Sequence, residues 1–323
     1  MQIVSLFSAL SDPTRLRILR LIASMELAVG EVALVLGQSQ PRVSRQVGIL
    51  CDVGLAERRR EGSWTFLRAC QPAGDNSPFS AILMKLLAEA EEHDAELAAL
   101  CAQDRRRLAE IRAARDADAQ AYFAQHSQDW DELRRMHSSD ERIEAELTRA
   151  LDGLALGELL DIGTGTGRMA EIFSAGAERI VALDKSPAML RVARAKLQHL
   201  PTQCVDLVQG DFTSLPFPDA SFDTVLFHQV LHFAQSPAAV LAEAARVTRA
   251  AGRIAIVDFA AHHREELRER HAHARLGFED DQMASLLADA GFKPAVPKAL
   301  EDGELTVKIW LAERYKETTG TPS

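Results

Sequence analysis

No apolar run in this 323-residue sequence approaches the roughly 20 residues that a membrane-spanning helix needs. The opening Met1-Gln2-Ile3-Val4-Ser5-Leu6 lacks the basic cluster of a secretory signal, so the chain is expected to be cytoplasmic. Cysteine is scarce as well. Cys51, Cys70, Cys101 and Cys204 stand far apart with no Cys-x-x-Cys pair, which argues against a disulfide framework or a zinc site, and no bound metal is expected. No internal repeat is visible.

What is present is the composition of an ordinary globular protein, 47% hydrophobic and 26% charged, in a chain long enough for two domains with separate cores. The net charge of −10 is unevenly spread. Residues 1–70 hold nine arginines against six acids, and the remainder holds 28 basic residues against 41 acidic ones. A basic module joined to an acidic one gives such an imbalance, and it removes the objection that an acidic chain should not bind nucleic acid.

Near the N-terminus, spacing predicts helices over Asp12–Ala23, Val29–Leu36 and Pro41–Val53. Gly37 ends the second, and Pro41 suits the first turn of the third. On that third helix Val43, Val47 and Leu50 fall on a core-facing side. Ser39, Gln40, Arg42, Ser44, Arg45 and Gln46 present a polar one. Arginine and glutamine can bond base edges bidentately, and serine can serve base or phosphate. A polar helix behind a tight turn fits a recognition helix in the major groove. After Gly54, residues 55–67 read as two short strands around a Glu61-Gly62 turn, with Arg58, Arg59 and Arg60 placed to meet phosphates. An ordinary hairpin beside a solvated helix has a similar pattern; the order of turn, polar helix and basic hairpin favours DNA.

These residues resemble the ArsR/SmtB family of winged-helix repressors over about the first 70 positions. The likeness is carried by Leu10-Ser11-Asp12-Pro13-Thr14-Arg15-Leu16-Arg17-Ile18-Leu19, by Gln38-Ser39-Gln40-Pro41-Arg42-Val43-Ser44-Arg45, and by Gly54-Leu55 with the arginine-rich wing. The resemblance implies a homodimer on a partly palindromic double-stranded operator. Metal-sensing members often carry a Cys-x-Cys pair where this chain has Leu27-Ala28-Val29-Gly30-Glu31, so soft-metal sensing there lacks its thiolates. From Phe79 to about Ile111, apolar residues recur at three- and four-residue steps between Glu, Asp and Arg, a helical pattern expected to support dimerisation.

From about Leu154 onward, apolar strand-like runs alternate with helical ones, the pattern of an α/β domain with a mostly parallel sheet. Leu159-Leu160-Asp161-Ile162-Gly163-Thr164-Gly165-Thr166-Gly167 is a strand running into a glycine loop, with a helical run behind it. Glycines there let a backbone approach a ligand closely. A second strand, Arg179–Leu183, ends in Asp184, followed by Lys185; a third, Cys204–Gly210, ends in Asp211-Phe212. An acid at the end of the second strand is placed to bond ribose hydroxyls.

This set resembles the class I S-adenosylmethionine (SAM)-dependent methyltransferases, from about Leu159 to Ala312. The stretch Leu215–Leu226 is close to the small-molecule and quinone-type enzymes. The resemblance implies that Gly163–Gly167, with Asp161 and Thr164, lines the methionine part of SAM or S-adenosylhomocysteine (SAH). It also implies that Asp184 with Lys185 meets ribose and that Asp211 with Phe212 holds adenine. His228 and His232, at the end of the fourth strand, are candidates for a catalytic base, and His228 also for the cofactor wall. Tyr122-Phe123 and Asp129-Trp130-Asp131-Glu132-Leu133-Arg134 resemble a segment that closes over the cofactor, so Tyr122 and Trp130 are candidate contacts; packing of a helix on the sheet is the plainer reading. His262, His263, His271 and His273 form a cluster after the fifth strand, open to a metal, a substrate or lid role, or simple packing.

The expected architecture is α/β: a winged helix-turn-helix domain over 1–72, a helical linker over 73–150, a Rossmann-like domain with a seven-stranded sheet over 151–314, and a flexible tail over 315–323. The expected function is an ArsR-type regulator that binds operator DNA as a dimer and couples SAM or SAH to gene expression. The alternative is an active small-molecule methyltransferase with an attached DNA-binding domain. No Asn/Asp-Pro-Pro-Tyr/Phe motif follows the fourth strand, against methylation of base amino groups, and only Cys204 lies in the domain, against an arsenic chemistry that uses several thiolates.

Overall fold

The computed structural model describes residues 2–23, 25–70, 78–131, 140–201, 204–301 and 303–315. The segment Glu132–Arg134 and the tail beyond Tyr315 lie outside them. The chain divides into two compact units, Met1–Ala117 and Asp118–Ser323.

In the first unit, helix α1 spans Gln2–Leu10 and α2 spans Pro13–Ile22. Asp12 starts α2 by accepting from the backbone N–H groups of Thr14 at 2.7 Å and Arg15 at 3.3 Å, and Pro13 fills a first-turn position whose N–H has no partner in the helix. Strand β1, Leu27–Ala28, leads into α3, Val29–Leu36, which stops at Gly37 in the left-handed region with φ 63°. Gln38 N–H then returns to Ala33 O at 3.0 Å, closing the turn before α4, Gln40–Asp52. Strands β2, Ala56–Glu61, and β3, Trp64–Ala69, form an antiparallel hairpin in register from Ala56 opposite Ala69 to Glu61 opposite Trp64.

One core unites these elements: Leu19, Ile22, Val32, Val43, Val47, Leu50 and Leu67 are all fully or nearly fully buried. The apolar pattern after Phe79 resolves into two helices, α5 (Pro78–His93) and α6 (Ala95–His126). Asp94 divides them. Its Oδ1 accepts from Glu96 N–H and Leu97 N–H, both at 3.0 Å, an N-cap inside what spacing alone reads as one run. Leu87 and Leu108 bring α5 and α6 into the same core as the winged helix.

In the second unit, helix α7 (Asp140–Leu151) seats Ile143, Leu147 and Leu151 in a core shared with the sheet. Five parallel strands make the sheet's centre: β4 (Glu158–Ile162), β5 (Arg179–Asp184), β6 (Val205–Gln209), β7 (Phe222–His228) and β8 (Thr248–Phe259). Helix α8 (Arg168–Phe173) follows β4, α9 (Pro187–Leu197) follows β5, and α10 (Pro237–Val247) joins β7 to β8. Helices α11 (Glu266–Arg270) and α12 (Asp280–Asp289) precede β9 (Phe292–Pro294), β10 (Lys298–Leu300) and β11 (Val307–Arg314).

The strand order is β10-β11-β8-β7-β4-β5-β6, with β9 also on β11 and β11 antiparallel to β8. The sheet has eight strands among the described residues where seven are expected. The extra one arises because the outermost strand is split: β9 and β10 both pair antiparallel with β11, on either side of Val296, which is 94% exposed, and Pro297, which has no N–H for a ladder. The central strands are buried on both faces and so read as continuous apolar runs rather than alternating ones. Strand order reverses at β4, between β5 and β7, and α/β sheets open a ligand crevice beyond the carboxyl ends of the strands at such a point.

Candidate functional site

The candidate residues gather in two places. The first is the polar side of α4 and the wing. Val43, Val47 and Leu50 are fully buried, which fixes the rotation of α4 and turns Ser39, Gln40, Arg42 and Arg45 to solvent, with Ser44 half-exposed. Arg42 and Arg45 make no ion pair among the described residues. Gln46 differs: its Oε1 accepts from Arg15 Nη1 at 2.8 Å, and Arg15 also donates to the carbonyls of Ala9 and Ser8. That bond ties α4 to α2.

On the wing, strand alternation separates the three arginines that the sequence places together. Arg58 and Arg60 are exposed, whereas Arg59 points to the other face, paired with Glu61 at 2.9 Å and Glu26 at 3.2 Å and lying 5.2 Å from the Phe66 ring centre. The period of two needed to foresee this is already in the sequence.

The second place lies at the ends of β4, β5, β6 and β7. Gly163, Gly165 and Gly167 all have positive φ, at 70°, 55° and 85°. A Cβ on Gly163 would stand 2.3 Å from the Val230 side chain, so that position accepts only glycine. Asp161 is 1% exposed and accepts from Thr164 Oγ1 at 2.6 Å, holding the loop from below. Thr164 itself is buried, and its N–H and that of Gly163 both donate to Leu183 O.

Asp184 organises the same loop from the side. Its Oδ2 accepts from Gly165 N–H and its Oδ1 from Ser186 N–H, both at 2.8 Å. Burial raises its carboxyl above the usual aspartate range, against the pull of backbone N–H groups of Ser186, Gly165 and Lys185. Each oxygen retains lone-pair capacity for an incoming hydroxyl. Lys185 Nζ pairs with Asp211 Oδ2 at 2.7 Å, and Thr213 donates to Asp211 Oδ1 from both N–H and Oγ1. Burial pushes Asp211 up, but Lys185 and Thr213 outweigh it and hold the carboxyl below its ordinary range. Phe212 is half-buried against the core. The Trp130 indole comes within 3.6 Å of the point where a Cβ on Gly165 would stand, so Trp130 lies at the loop. Tyr122 goes elsewhere: its hydroxyl meets His271 Nδ1 at 2.8 Å, and its ring lies 4.3 Å from that of His126.

Of the two candidate bases, His228 is 7% exposed at the end of β7. His232, 2% exposed on the short 3-10 turn Leu231–Phe233, forms a dyad with the fully buried Asp258: Nδ1 and Oδ1 are 2.7 Å apart. Sequence reasoning misses Asp258 as a partner because the pair is joined only by the parallel neighbourship of β7 and β8. The one signal was a charge ending the apolar run Ile254–Val257. His273 stacks near His232 with ring centres 4.1 Å apart, while His271 turns to Tyr122, so the histidine cluster splits. His262 is a half-buried imidazole whose pKa falls to about 4, chiefly from desolvation, then from His232 and Arg268. Among the described residues, no group of three His, Cys, Asp or Glu side chains could hold a metal ion.

The sheet order, the crevice at β4 and the glycine loop with an acid ending the next strand define a Rossmann-like methyltransferase domain, and the first unit is a winged helix-turn-helix domain. Comparison with known proteins names both. Residues 12–58 match the family described as bacterial regulatory protein, arsR family, and residues 160–256 match the methyltransferase domain family. The chain therefore joins an ArsR-family helix-turn-helix domain to a class I methyltransferase domain, the kind of domain whose cofactor is SAM or SAH.

Demethylmenaquinone methyltransferase of Thermobifida fusca is 36% identical over 144 residues, covering 44% of this chain and 61% of that protein. Its counterpart from Renibacterium salmoninarum is 36% identical over 101 residues, 31% of this chain and 40% of that one. The chain thus spans only about half the length of these relatives. The solved 1,6-didemethyltoxoflavin-N1-methyltransferase of Burkholderia thailandensis, which contains 1,6-didemethyltoxoflavin and S-adenosylhomocysteine, superposes with a TM-score of 0.51 at 22% identity, covering 64% of this chain and 90% of that one. That likeness is one of fold.

Proposed function

We propose that this chain is a dimeric transcriptional regulator that reads operator DNA through α4 and the wing and binds SAM or SAH in its methyltransferase domain, coupling methyl-donor status to gene expression. One observation carries the reading: a single chain presents exposed arginines at 42 and 45 on a helix-turn-helix and keeps a glycine loop braced by Asp184. A ligand shifts operator affinity by as much as its binding differs between the DNA-competent and incompetent states.

The base-reading residues are Gln40, Arg42, Ser44 and Arg45, with Ser39 at the helix start and Arg58 and Arg60 on phosphates. Gln46 and Arg59 serve the domain's own packing, since both are engaged internally. In the cofactor site, Gly163–Gly167 takes the methionine part of SAM. Asp184 takes the ribose hydroxyls, Asp211 and Phe212 the adenine, and Trp130 covers the loop. The residues fit the cofactor: a backbone free of side chains at three positive-φ glycines, next to a carboxylate that two N–H groups already orient. Dimerisation is supported by apolar side chains left in water on two helices of the first unit: Ile3, Val4 and Phe7 on α1 (44%, 55% and 61% exposed) and Ile82 and Leu86 on α5 (64% and 55%).

The test is titration of the full chain onto labelled DNA from its own upstream region without ligand, with SAM and with SAH, at one salt concentration. A shift of about tenfold or more, about 1.4 kcal/mol of coupling, is expected with one of the two ligands. Equal affinity in all three conditions at saturating ligand would sink the coupling.

A further inference from the structure

We propose that the methyltransferase unit takes a second ligand beside the cofactor, a planar aromatic bearing a hydroxyl, and that His232 accepts the hydroxyl proton as the oxygen takes up the methyl group. The inference rests on the reading that SAM occupies the Gly163–Gly167 loop. Three observations lead to it.

A wall of rings runs from that loop to the dyad. Trp130, at Gly165, lies 5.4 Å from Phe123 and 6.2 Å from Phe233 by ring centres, and Phe233 lies 4.0 Å from His232. Trp130, Phe123 and Phe233 are only half-buried, so ring surface remains for a planar guest to stack on or meet edge-to-face.

The wall ends at an imidazole whose orientation is set by Asp258. Asp258 accepts at Nδ1, which places the proton of the neutral ring there and leaves Nε2 as the accepting nitrogen. The carboxylate also stands ready to stabilise the imidazolium.

The main chain of this segment is anchored independently of the ring's Nε2. His232 N–H already donates to Asp258 Oδ2 at 3.1 Å, and His232 O accepts from Ala274 N–H and Arg275 N–H at 3.1 and 2.9 Å. Those bonds are all backbone on the His232 side; the ring adds its Nδ1 bond to Asp258 and contacts with Phe233, Phe259 and His273, and no hydrogen bond among the described residues engages its Nε2.

The step balances. The hydroxyl oxygen forms a bond to the methyl carbon, and the carbon–sulfur bond breaks with its electron pair left on sulfur, turning the sulfonium of SAM into the thioether of SAH. The proton passes to His232 Nε2 and leaves later to water.

The experiment measures SAH formed by the full chain from SAM with two probes: catechol, whose hydroxyls hold their protons at neutral pH, and 4-nitrocatechol, which is largely ionised there. Wild type turns over both. His232→Asn, which keeps a donor near Asp258, is expected to lower kcat about 100-fold or more on catechol and less than about tenfold on 4-nitrocatechol, because an ionised acceptor has no proton to give. SAM affinity, read by calorimetry, stays within about threefold. If His232→Asn does not fold, as its melting curve will reveal, His232→Gln carries the same comparison. Equal losses on both probes would mean a structural role and overturn the proposal. So would absence of SAH from wild type that binds SAM normally; wild type that fails to bind SAM would take the cofactor reading down with it.

Discussion

Arg42 and Arg45 on the winged domain, and Arg168 and Arg246 on the methyltransferase domain, all reach water, but they are engaged differently. The second pair is committed: Arg168 chelates Glu144 at 2.8 and 2.6 Å and meets Glu171 at 2.9 Å, and Arg246 holds Glu243 and Asp219. The first pair has no ion pair among the described residues. A guanidinium already chelated must give up its carboxylate before meeting a phosphate or a base, while a free one gives up only water. On the proposed reading, outward charge serves a polyanion on one domain, whereas on the other it serves the fold itself. The methyltransferase domain holds Asp161, Asp184 and the His232–Asp258 dyad inward, each oriented by hydrogen bonds of its own.

The sharpest way to separate the two domains is Gly163→Ala. Its Cβ would press on Val230 in a left-handed backbone, and SAM affinity is expected to fall about 100-fold or more in calorimetry. Ligand-free DNA binding by the same variant should stay within about twofold of wild type, because independent sites contribute additively; a parallel collapse of DNA binding would break the comparison.

Next in size, Arg42→Ala and Arg45→Ala should each cost about 1–3 kcal/mol of operator affinity and relax base preference at one position, as read by competition among mutated operators. Unchanged affinity in both would remove α4 as the reading helix.

The wing supplies a finer contrast. Arg60→Ala is expected to lower the salt dependence of DNA binding by about one phosphate contact while leaving the melting temperature unchanged. Arg59→Ala should do the reverse, because it breaks pairs with Glu26 and with Glu61, whose side chain is only 3% exposed. Identical behaviour of the two would contradict the alternation of the strand.

The smallest effect is on acid stability. His262 takes a proton near pH 6.5 when unfolded but only near 4 in the native protein. Its contribution to stability is therefore intact above 6.5 and drains away as pH falls toward 4. Thermal melts from pH 7 to 4 should show a decline that His262→Gln makes shallower; an identical slope in the variant would place the titration elsewhere.

The elements that carry their own punctuation were legible. Val29–Leu36 is bounded as spacing predicts because Gly37 supplies the left-handed stop, and the five parallel strands fall where apolar runs end in Asp184, His228 or Asp258. Helix α1 escaped notice because its apolar positions are shared between the core (Leu6, Ala9) and water (Ile3, Val4, Phe7), which blurs the period. The break at Asp94 escaped because an N-cap inside a helical run is marked by a single polar residue among many. The split of the outer strand follows from Pro297, which the sequence displays, but its place in the sheet depends on pairing with β11 from later in the chain. The glycine loop was visible as a motif; the dyad was not, since 26 residues separate its members and only sheet order joins them.

The position of Trp130 has a practical side. Of the three tryptophans, Trp64 lies beneath Arg115 at 5.5 Å and Trp310 is tied to Asp280 through its indole N–H, so both are fixed by their own neighbours. Trp130 stands at the mouth of the glycine loop, where a sulfonium or an adenosyl group would alter the surroundings of the indole. Emission excited at the red edge of the tryptophan band therefore turns loop occupancy into a light signal without a label, and replacing Trp64 and Trp310 by phenylalanine isolates that signal in the intact chain.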